Sequence, residues 1–332
     1  MIAVVLVGGF GTRLRPLTET IPKPLLPVGQ RTIIEHVVRS LAAGGVTEVV
    51  LALGFRPDAF TAAFPAGTCG GVALHYAVEP EPLDTGGAIA FAARSAGIDD
   101  TFVVVNGDVL TDLDVRVLLA EHRSKQAEAT IHLTPVEDPS AFGVVALDAD
   151  GRVVRFVEKP PLDTAPSNMI NAGTYVFEPS MIDRVPMGSR MSVERAVFPA
   201  VAAEGRLFAL CTDDYWIDTG RPELYRQANL DAVSGRRRTV HEPAFGSDVR
   251  IDGEVEHSVL GPGVRVSAGA EVRSSVLMAG VHIGDGAIVV DSVLGPEARV
   301  GPRAALDDVV LGRAAVVEAG EHLSNARRPV PA

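Results

Sequence analysis

Short apolar runs alternate with helical patterns over about the first 230 residues. Runs rich in β-branched residues, such as residues 3–7 and 48–53, predict buried strands. Between these two runs, Thr32 and Glu35 form a capping box, apolar residues follow at helical spacing, and Gly44 marks a helix end. Such alternation is typical of an α/β sheet with crossover helices.

The pattern changes beyond residue 240, where a 17-residue period begins. Four copies are in register, starting at Ser258, Ser275, Ser292 and Val309. Within each copy, small apolar residues recur at steps of six, six and five, as in Val264, Ala270 and Val276. This period predicts a triangular β-solenoid whose coils stack their apolar residues inside.

We therefore predict two domains joined by a flexible, charged link. Residues 1–234 form an α/β domain with a Rossmann-like, mixed and mostly parallel sheet. Residues 240–325 form a left-handed β-helix of hexapeptide-type repeats, with an irregular first coil before residue 258. Residues 326–332 are expected to be a loose tail.

Composition excludes several classes of protein. No apolar run reaches the roughly 20 residues needed to cross a bilayer, so no membrane partner is expected. The net charge of −12 argues against a nucleic-acid partner. The two cysteines and the lack of a signal-peptide pattern predict a reducing, cytoplasmic location.

A glycine-rich segment follows the first predicted strand and runs from Gly8 through Arg13 to Lys23. Its glycines allow the backbone to approach a ligand and to present N–H groups to phosphate oxygens. Lys23 is one of only three lysines among 30 basic residues, which favours a site that needs a compact charge. The segment matches neither a dinucleotide fingerprint nor a P-loop, because Leu14 stands where the fingerprint needs glycine.

Two carboxylates each follow an apolar run. Asp108 follows residues 103–105, and Asp218 follows Trp216 and Ile217. Ligands collect beyond the carboxyl ends of parallel strands, so Asp108 lies where chemistry is expected.

These motifs resemble those of the sugar-1-phosphate nucleotidyltransferases, and the resemblance covers nearly the whole chain. It implies an enzyme that joins a sugar 1-phosphate to a nucleoside triphosphate and releases pyrophosphate. It implies Arg13, Lys23, Asp108 and Asp218 as catalytic residues, with Asp108 and Asp218 holding Mg²⁺. The nucleotide-binding positions that it implies are Leu6, Gly8, Gly9, Gly11, Thr12, Arg13, Lys23, Glu81, Gly86 and Asp108.

The same resemblance implies a sugar-phosphate site. Its positions are Gly143, Glu158, Lys159, Asn171 and Asp218. Because a sugar 1-phosphate oxygen is already ionised near neutral pH, the reaction needs no nucleophilic side chain. Catalysis then consists of positioning and fixed electrostatics.

The base preference depends on the segment from Glu79 to Ala88, which resembles the family's base-reading loop. Glu81 stands where thymidylyl and uridylyl relatives usually have glutamine, and an acceptor-only carboxylate suits the donors of guanine. The segment looks most like that of mannose-1-phosphate guanylyltransferases, although Asp84 replaces the usual glycine. We therefore expect GTP with mannose 1-phosphate, with dTTP and glucose 1-phosphate as the alternative.

Two other functions would fit parts of the sequence. A non-catalytic regulatory subunit that binds nucleotide sugars is disfavoured, because the chain retains Arg13, Lys23, Asp108 and Asp218 together. An acyltransferase in the β-helix is disfavoured, because the repeats show no evident catalytic histidine. The β-helix is more simply an oligomerisation or regulatory element, and a homo-oligomer is expected.

Overall fold

The computed structural model describes residues 1–54 and 57–329. Fourteen strands precede residue 234 in these ranges: β1 (Ile2–Leu6), β2 (Pro27–Val28), β3 (Arg31–Thr32), β4 (Glu48–Leu53), β5 (Thr68–Cys69), β6 (Val72–Val78), β7 (Phe102–Asn106), β8 (Val109–Thr111), β9 (Ala129–Pro135), β10 (Gly143–Leu147), β11 (Val153–Glu158), β12 (Met169–Phe177), β13 (Leu207–Cys211) and β14 (Trp216–Asp218).

The helices are α1 (Ile33–Ala43), α2 (Pro57–Ala63), α3 (Asp84–Ser95), α4 (Val115–Lys125), α5 (Ser180–Asp183), α6 (Phe198–Ala203) and α7 (Pro222–Ser234). Short 3-10 turns occur at Thr12–Leu14, Leu17–Glu19, Lys23–Leu25 and Leu162–Thr164, and a π-helical turn at Val193–Val197 precedes α6. None of the helices in the described ranges is long and apolar enough to cross a bilayer.

The chain divides into two compact units, which are not continuous in sequence. The sheet unit comprises Met1–Gly9 and Ile34–Trp216, and the solenoid unit comprises Phe10–Ile33 and Ile217–Ala332. Residues 10–33 and 217–234 are thus grouped with the repeats by their contacts, and the predicted domains 1–234 and 240–325 stay a prediction.

The sheet unit contains a mixed sheet that the described residues build from ten strands. Its centre, in the order β7-β1-β4-β6, is parallel, while β12 runs antiparallel to β7 and continues the sheet on the other side. The central strands are buried on both faces, as Ala3, Val4 and Val5 show, which is typical of parallel strands covered by helices. The predicted α/β class with a mixed, Rossmann-like sheet is confirmed.

Helix α3 begins at Asp84, inside the segment that the sequence suggested as a base-reading loop. Gly86 and Gly87 read as loop residues, yet both are buried inside the helix. A Cβ on Gly87 would lie 2.5 Å from the carbonyl oxygen of Ser189. These glycines therefore permit close packing of α3 and do not mark a turn.

The repeats form a parallel β-solenoid, called the solenoid below. Its strands are β15 (Arg250–Ile251), β16 (Glu254–Glu256), β17 (Val259–Leu260), β18 (Arg265–Val266), β19 (Glu271–Arg273), β20 (Val276–Leu277), β21 (His282–Ile283), β22 (Ile288–Val290), β23 (Val293–Leu294), β24 (Arg299–Val300), β25 (Ala305–Leu311), β26 (Val316–Val317) and β27 (His322–Arg328).

The coils stack in the predicted register. Val259 pairs with Val276, and Val276 pairs with Val293, so each coil advances by the repeat length. The first coil is irregular, since Arg250 pairs with Arg265 and not with a residue 17 positions further on. The left-handed β-helix of hexapeptide-type repeats is confirmed.

One detail of the predicted core was wrong. Val276 was expected inside, but the inner core contains its neighbour Leu277 together with Val264 and Ala270. Successive strand residues face opposite sides, so Val276 lies on the outer side, where it is nonetheless buried. Helix α7 contacts the first strand of that outer face, β17.

Buried serines connect successive coils. The Ser275 hydroxyl donates to the carbonyl of Arg273 at 2.7 Å and accepts from the Ser292 amide at 3.1 Å. Ser258 and Ser292 make the same pair of contacts one coil away on either side. The serines at the repeat starts thus satisfy backbone groups where the chain turns.

The last strand, β27, extends into the segment expected to be a tail. It pairs with β25 through Ala326, Arg327 and Arg328, because those residues continue the backbone ladder of the preceding coil. Residues 330–332 of the expected tail lie outside the described residues.

The buried serines at the repeat starts generate the first prediction. Ser275→Ala should destabilise the protein by about 1–3 kcal/mol, because it leaves the buried Ser292 amide without a partner. Urea denaturation followed by circular dichroism measures this change. Ser324→Ala, at an exposed position of β27, is the matched control. Equal stability of the two variants would contradict the stabilising role of the buried serines.

Candidate functional site

The glycine turn begins at the carboxyl end of β1. Leu6, its last residue, pairs with Ala52 of β4 and Asn106 of β7, so three parallel strands end side by side here. Gly8 and Gly9 follow and are exposed. A Cβ on Gly8 would approach the backbone nitrogen of Gly54 at 3.4 Å. The two glycines therefore leave an open backbone surface at the sheet edge where ligands usually bind.

Asp108 lies at the same edge of the sheet. Gly107 precedes it, and the Gly107 amide donates to the carbonyl of Leu6 at 2.9 Å. A Cβ at Gly107 would lie 2.6 Å from Val7 Cγ1, so this close approach requires glycine. The turn fixes the half-buried Asp108 beside the end of β1, as the sequence suggested.

In the solenoid unit, the glycine segment continues with a left-handed residue, Gly11, at φ 59°. Thr18 donates its hydroxyl proton to the Gly11 carbonyl at 2.8 Å, and a Cβ on Gly11 would lie 2.9 Å from Thr18 Cγ2. Thr12 and Arg13 follow in a short 3-10 turn, and both are exposed. The segment therefore carries a charged side chain on a tightly folded backbone.

Lys23, Asp218 and Arg13 form one charge cluster. Lys23 is only 5% exposed, and its Nζ lies 3.2 Å from Asp218 Oδ1. Arg13 Nη2 lies 4.0 Å from Asp218 Oδ2, while the Arg13 side chain remains 62% exposed. Two cations thus lie beside one carboxylate, and the exposed Arg13 guanidinium can also bind an anion.

The predicted sugar-phosphate positions of the sheet unit come together at the paired strands β10 and β11. Gly143 pairs with Glu158, and a Cβ on Gly143 would lie 2.9 Å from Glu158 Oε2. Lys159 Nζ lies 3.3 Å from Glu158 Oε1 and is 65% exposed. An exposed cation therefore lies beside a half-buried carboxylate, and glycine at position 143 leaves room next to that carboxylate.

Asn171 lies in β12, next to a break in the pairing register with β9. Its amide donates to the Tyr175 hydroxyl at 2.9 Å, and its carbonyl oxygen accepts from the Gly173 amide at 3.0 Å. Burial, with the carboxylates of Glu194, Glu158 and Asp108, raises the pKa of Tyr175 well above its usual value, which the Asn171 bond opposes. Tyr175 thus stays neutral and holds Asn171 in place.

In the predicted base-reading segment, the structure places Glu81 and Gly86 in different surroundings from each other. Glu81 is exposed, and Gly86 is buried in α3, where a Cβ would lie 2.9 Å from the Met191 carbonyl. The expected roles of Glu81 and Gly86 in nucleotide binding remain predictions.

Glu79 is a candidate that the sequence reasoning missed. Its Oε2 accepts from the Leu83 amide at 2.9 Å, and its Oε1 lies 3.9 Å from the position of a Cβ on Gly8. Burial raises the pKa of Glu79, and the Leu83 bond opposes the shift. The sequence showed only that Glu79 begins the segment that resembles the base-reading loop.

Comparisons with known proteins agree with the fold. The nucleotidyl transferase family matches residues 2–235, and a GlmU-like C-terminal hexapeptide family matches residues 231–292 and 244–326. This chain belongs to the nucleotidyl transferase family.

Two relatives of this chain bear nearly the same enzyme name. A mannose-1-phosphate guanylyltransferase of Mycobacterium tuberculosis is 45% identical over 235 residues, which cover 70% of this chain and 65% of that protein. A mannose-1-phosphate guanyltransferase of Aspergillus fumigatus is 39% identical, over 76% of this chain and 72% of its own length.

Solved structures show the same fold. HddC from Yersinia pseudotuberculosis is 29% identical with a TM-score of 0.60, covering 69% of this chain and 97% of its own. A Bacillus anthracis protein solved under the name glucose-1-phosphate thymidylyltransferase is 23% identical with a TM-score of 0.63, covering 69% of this chain and 94% of its own.

The charge cluster generates the second prediction. Lys23→Arg should lower kcat by about tenfold or more, because a planar guanidinium does not fit the buried space of an ammonium group. Pyrophosphate release is the measurement. Lys125→Arg is the control, since Lys125 forms a surface pair with Glu121 on α4. Equal rates for both variants would indicate that Lys23 has only a structural role.

Proposed function

We propose that this chain transfers a guanylyl group from GTP to mannose 1-phosphate, giving GDP-mannose and pyrophosphate. The observation that carries the proposal is the buried Lys23 ammonium held against Asp218, with the exposed Arg13 beside it. The mannose-1-phosphate guanylyltransferases among the relatives support the choice of substrates.

The charges suit a direct displacement. An ionised oxygen of mannose 1-phosphate attacks the α-phosphorus of GTP, and the bond to the pyrophosphate oxygen breaks. Arg13 and Lys23 stabilise the charge that collects on the leaving group. Gly143, Glu158, Lys159 and Asn171 hold the sugar phosphate in line, so no side chain has to act as nucleophile.

We further propose that Asp108 and Asp218 hold Mg²⁺. Their hard carboxylate oxygens suit this ion, which is usually bound by one or two carboxylates together with substrate phosphates. Within residues 1–54 and 57–329, no group of three or more His, Cys, Asp or Glu side chains could hold a metal ion. Phosphate oxygens of the substrates would complete the ligand set. When bound, the ion would neutralise part of the phosphate charge.

Glu79 and Glu81 are the two candidates for reading the base. Guanine presents two neighbouring donors, its N1–H and its exocyclic amine, which an ionised carboxylate can accept together. Glu79 is the better fixed of the two, because Leu83 holds its carboxylate near the glycine turn. A glutamine there would place a donor opposite one of the guanine donors.

A grid of nucleoside triphosphates and sugar 1-phosphates, assayed for pyrophosphate release, tests the proposed function. GTP with mannose 1-phosphate should exceed every other pair by at least tenfold in kcat/KM, about 1.4 kcal/mol. Preference for dTTP with glucose 1-phosphate would replace the substrate pair and keep the reaction class. Nucleotide-sugar binding without any pyrophosphate release would favour a regulatory subunit.

The metal assignment generates the third prediction. Asp108→Asn and Asp218→Asn should each lower kcat about 100-fold or more while the protein stays folded, because an amide is a poorer ligand than a carboxylate. Asp213→Asn is the control, since Asp213 is exposed on the segment that leads to Asp218. Near-normal rates in both site variants, measured over a Mg²⁺ titration, would rule out the assignment.

The base-reading candidates generate the fourth prediction. Glu79→Gln should lower the ratio of GTP to dTTP kcat/KM by about tenfold, because a misplaced donor leaves buried groups unpaired. Glu81→Gln is the matched comparison, with the same chemical change two residues away. If Glu81→Gln shifts the ratio and Glu79→Gln does not, Glu81 is the base-reading residue.

A further inference from the structure

The residues that carry Arg13 and Lys23 are built into the solenoid unit. Phe10–Ile33, called the catalytic segment here, forms one compact unit with Ile217–Ala332. The charge cluster of Arg13, Lys23 and Asp218 lies wholly inside this unit. The solenoid can therefore influence the cluster through its contacts with the catalytic segment.

The end of the catalytic segment is anchored near the first coil. Gln30 donates to the carbonyl of Leu260 in β17 at 3.1 Å, and Arg31 forms an ion pair with the buried carboxylate of Glu242. The Gly29 amide donates to Asn229 of α7 at 2.9 Å. These contacts fix the chain on the Lys23 side of the segment.

The beginning of the segment is anchored by the last strand. Arg327 of β27 donates from Nη1 to the main-chain carbonyl of Arg13 at 3.0 Å. The 3-10 turn around Arg13 uses the carbonyls of Gly11 and Thr12 for its own hydrogen bonds, and that of Arg13 accepts from Arg327. This turn is only three residues long, so a contact from outside the turn contributes strongly to its conformation.

We propose that Arg327 is a positioning residue for Arg13, so that the last coil of the solenoid sets the orientation of a triphosphate-binding side chain. The contact of Arg13 with Asp218, at 4.0 Å, is too long to fix the guanidinium. The hydrogen bond from Arg327 fixes the backbone from which that side chain extends. The role of Arg13 in this proposal rests on the proposed function.

Arg327→Gln tests the proposal, with Arg328→Gln as the matched control. Arg328 is the next residue of β27 and contacts Glu321 and the Val316 carbonyl instead of the catalytic segment. Arg327→Gln should lower kcat/KM for the nucleotide about three- to tenfold, the effect expected from one lost hydrogen bond. The KM for the sugar phosphate and the melting temperature should stay unchanged.

A double-mutant cycle with Arg13→Gln separates positioning from a general structural effect. If Arg327 acts through Arg13, Arg327→Gln should cause no further loss once the Arg13 side chain is gone. Arg327→Lys should recover part of the loss, because an ammonium can also donate to the carbonyl. Full additivity in the cycle, or an equal loss in Arg328→Gln, would overturn the proposal.

The cycle is run with the substrate pair that the enzyme turns over fastest, so an error in the substrate assignment leaves the test intact. If no pair releases pyrophosphate, the proposed function fails. The same cycle is then measured as GTP affinity by titration calorimetry, with the same expected non-additivity.

Discussion

The site depends on the burial of the positively charged Lys23 ammonium group. It is almost fully buried, and a buried charge is strongly destabilising unless a partner of opposite sign compensates it. Asp218 is such a partner at 3.2 Å, nearly 200 residues away in sequence. Their pairing requires the catalytic segment and the end of β14 to be folded together. It also keeps the exposed Arg13 side chain close to the Asp218 carboxylate.

Backbone geometry does the rest of the positioning. Gly8 and Gly9 leave the sheet edge open, Gly107 lets Asp108 approach the end of β1, and Gly143 clears the space above Glu158. Arg13, Lys23 and Asp108 lie in short turns between regular elements, where small shifts of the backbone change the direction of a side chain. Hydrogen bonds to backbone groups, such as those of Thr18 and Arg327, limit these shifts. The site is therefore preorganised by contacts that a list of its charged residues omits.

The strands and repeats were predictable because periodicity encodes them. Strand β4 and the start of α1 were predicted correctly, and so was the stacking register of the solenoid. The start of α3 was missed because buried glycines inside a helix look like a turn in sequence. The inner position of Leu277 was missed because both it and Val276 are apolar, and only the pleat decides which faces inward. Glu79 and Arg327 were missed because their significance lies in contacts with residues distant in sequence.

The central claim is that fixed charges drive a direct transfer, with no covalent intermediate on the protein. The stereochemical course at the α-phosphorus tests it most directly. The measurement uses GTP with a chiral phosphorothioate at the α position and determines the configuration of the nucleotide sugar formed. A single in-line displacement predicts inversion of configuration at phosphorus. Retention would require two displacements, and hence a nucleophilic side chain, and would contradict this account of the site.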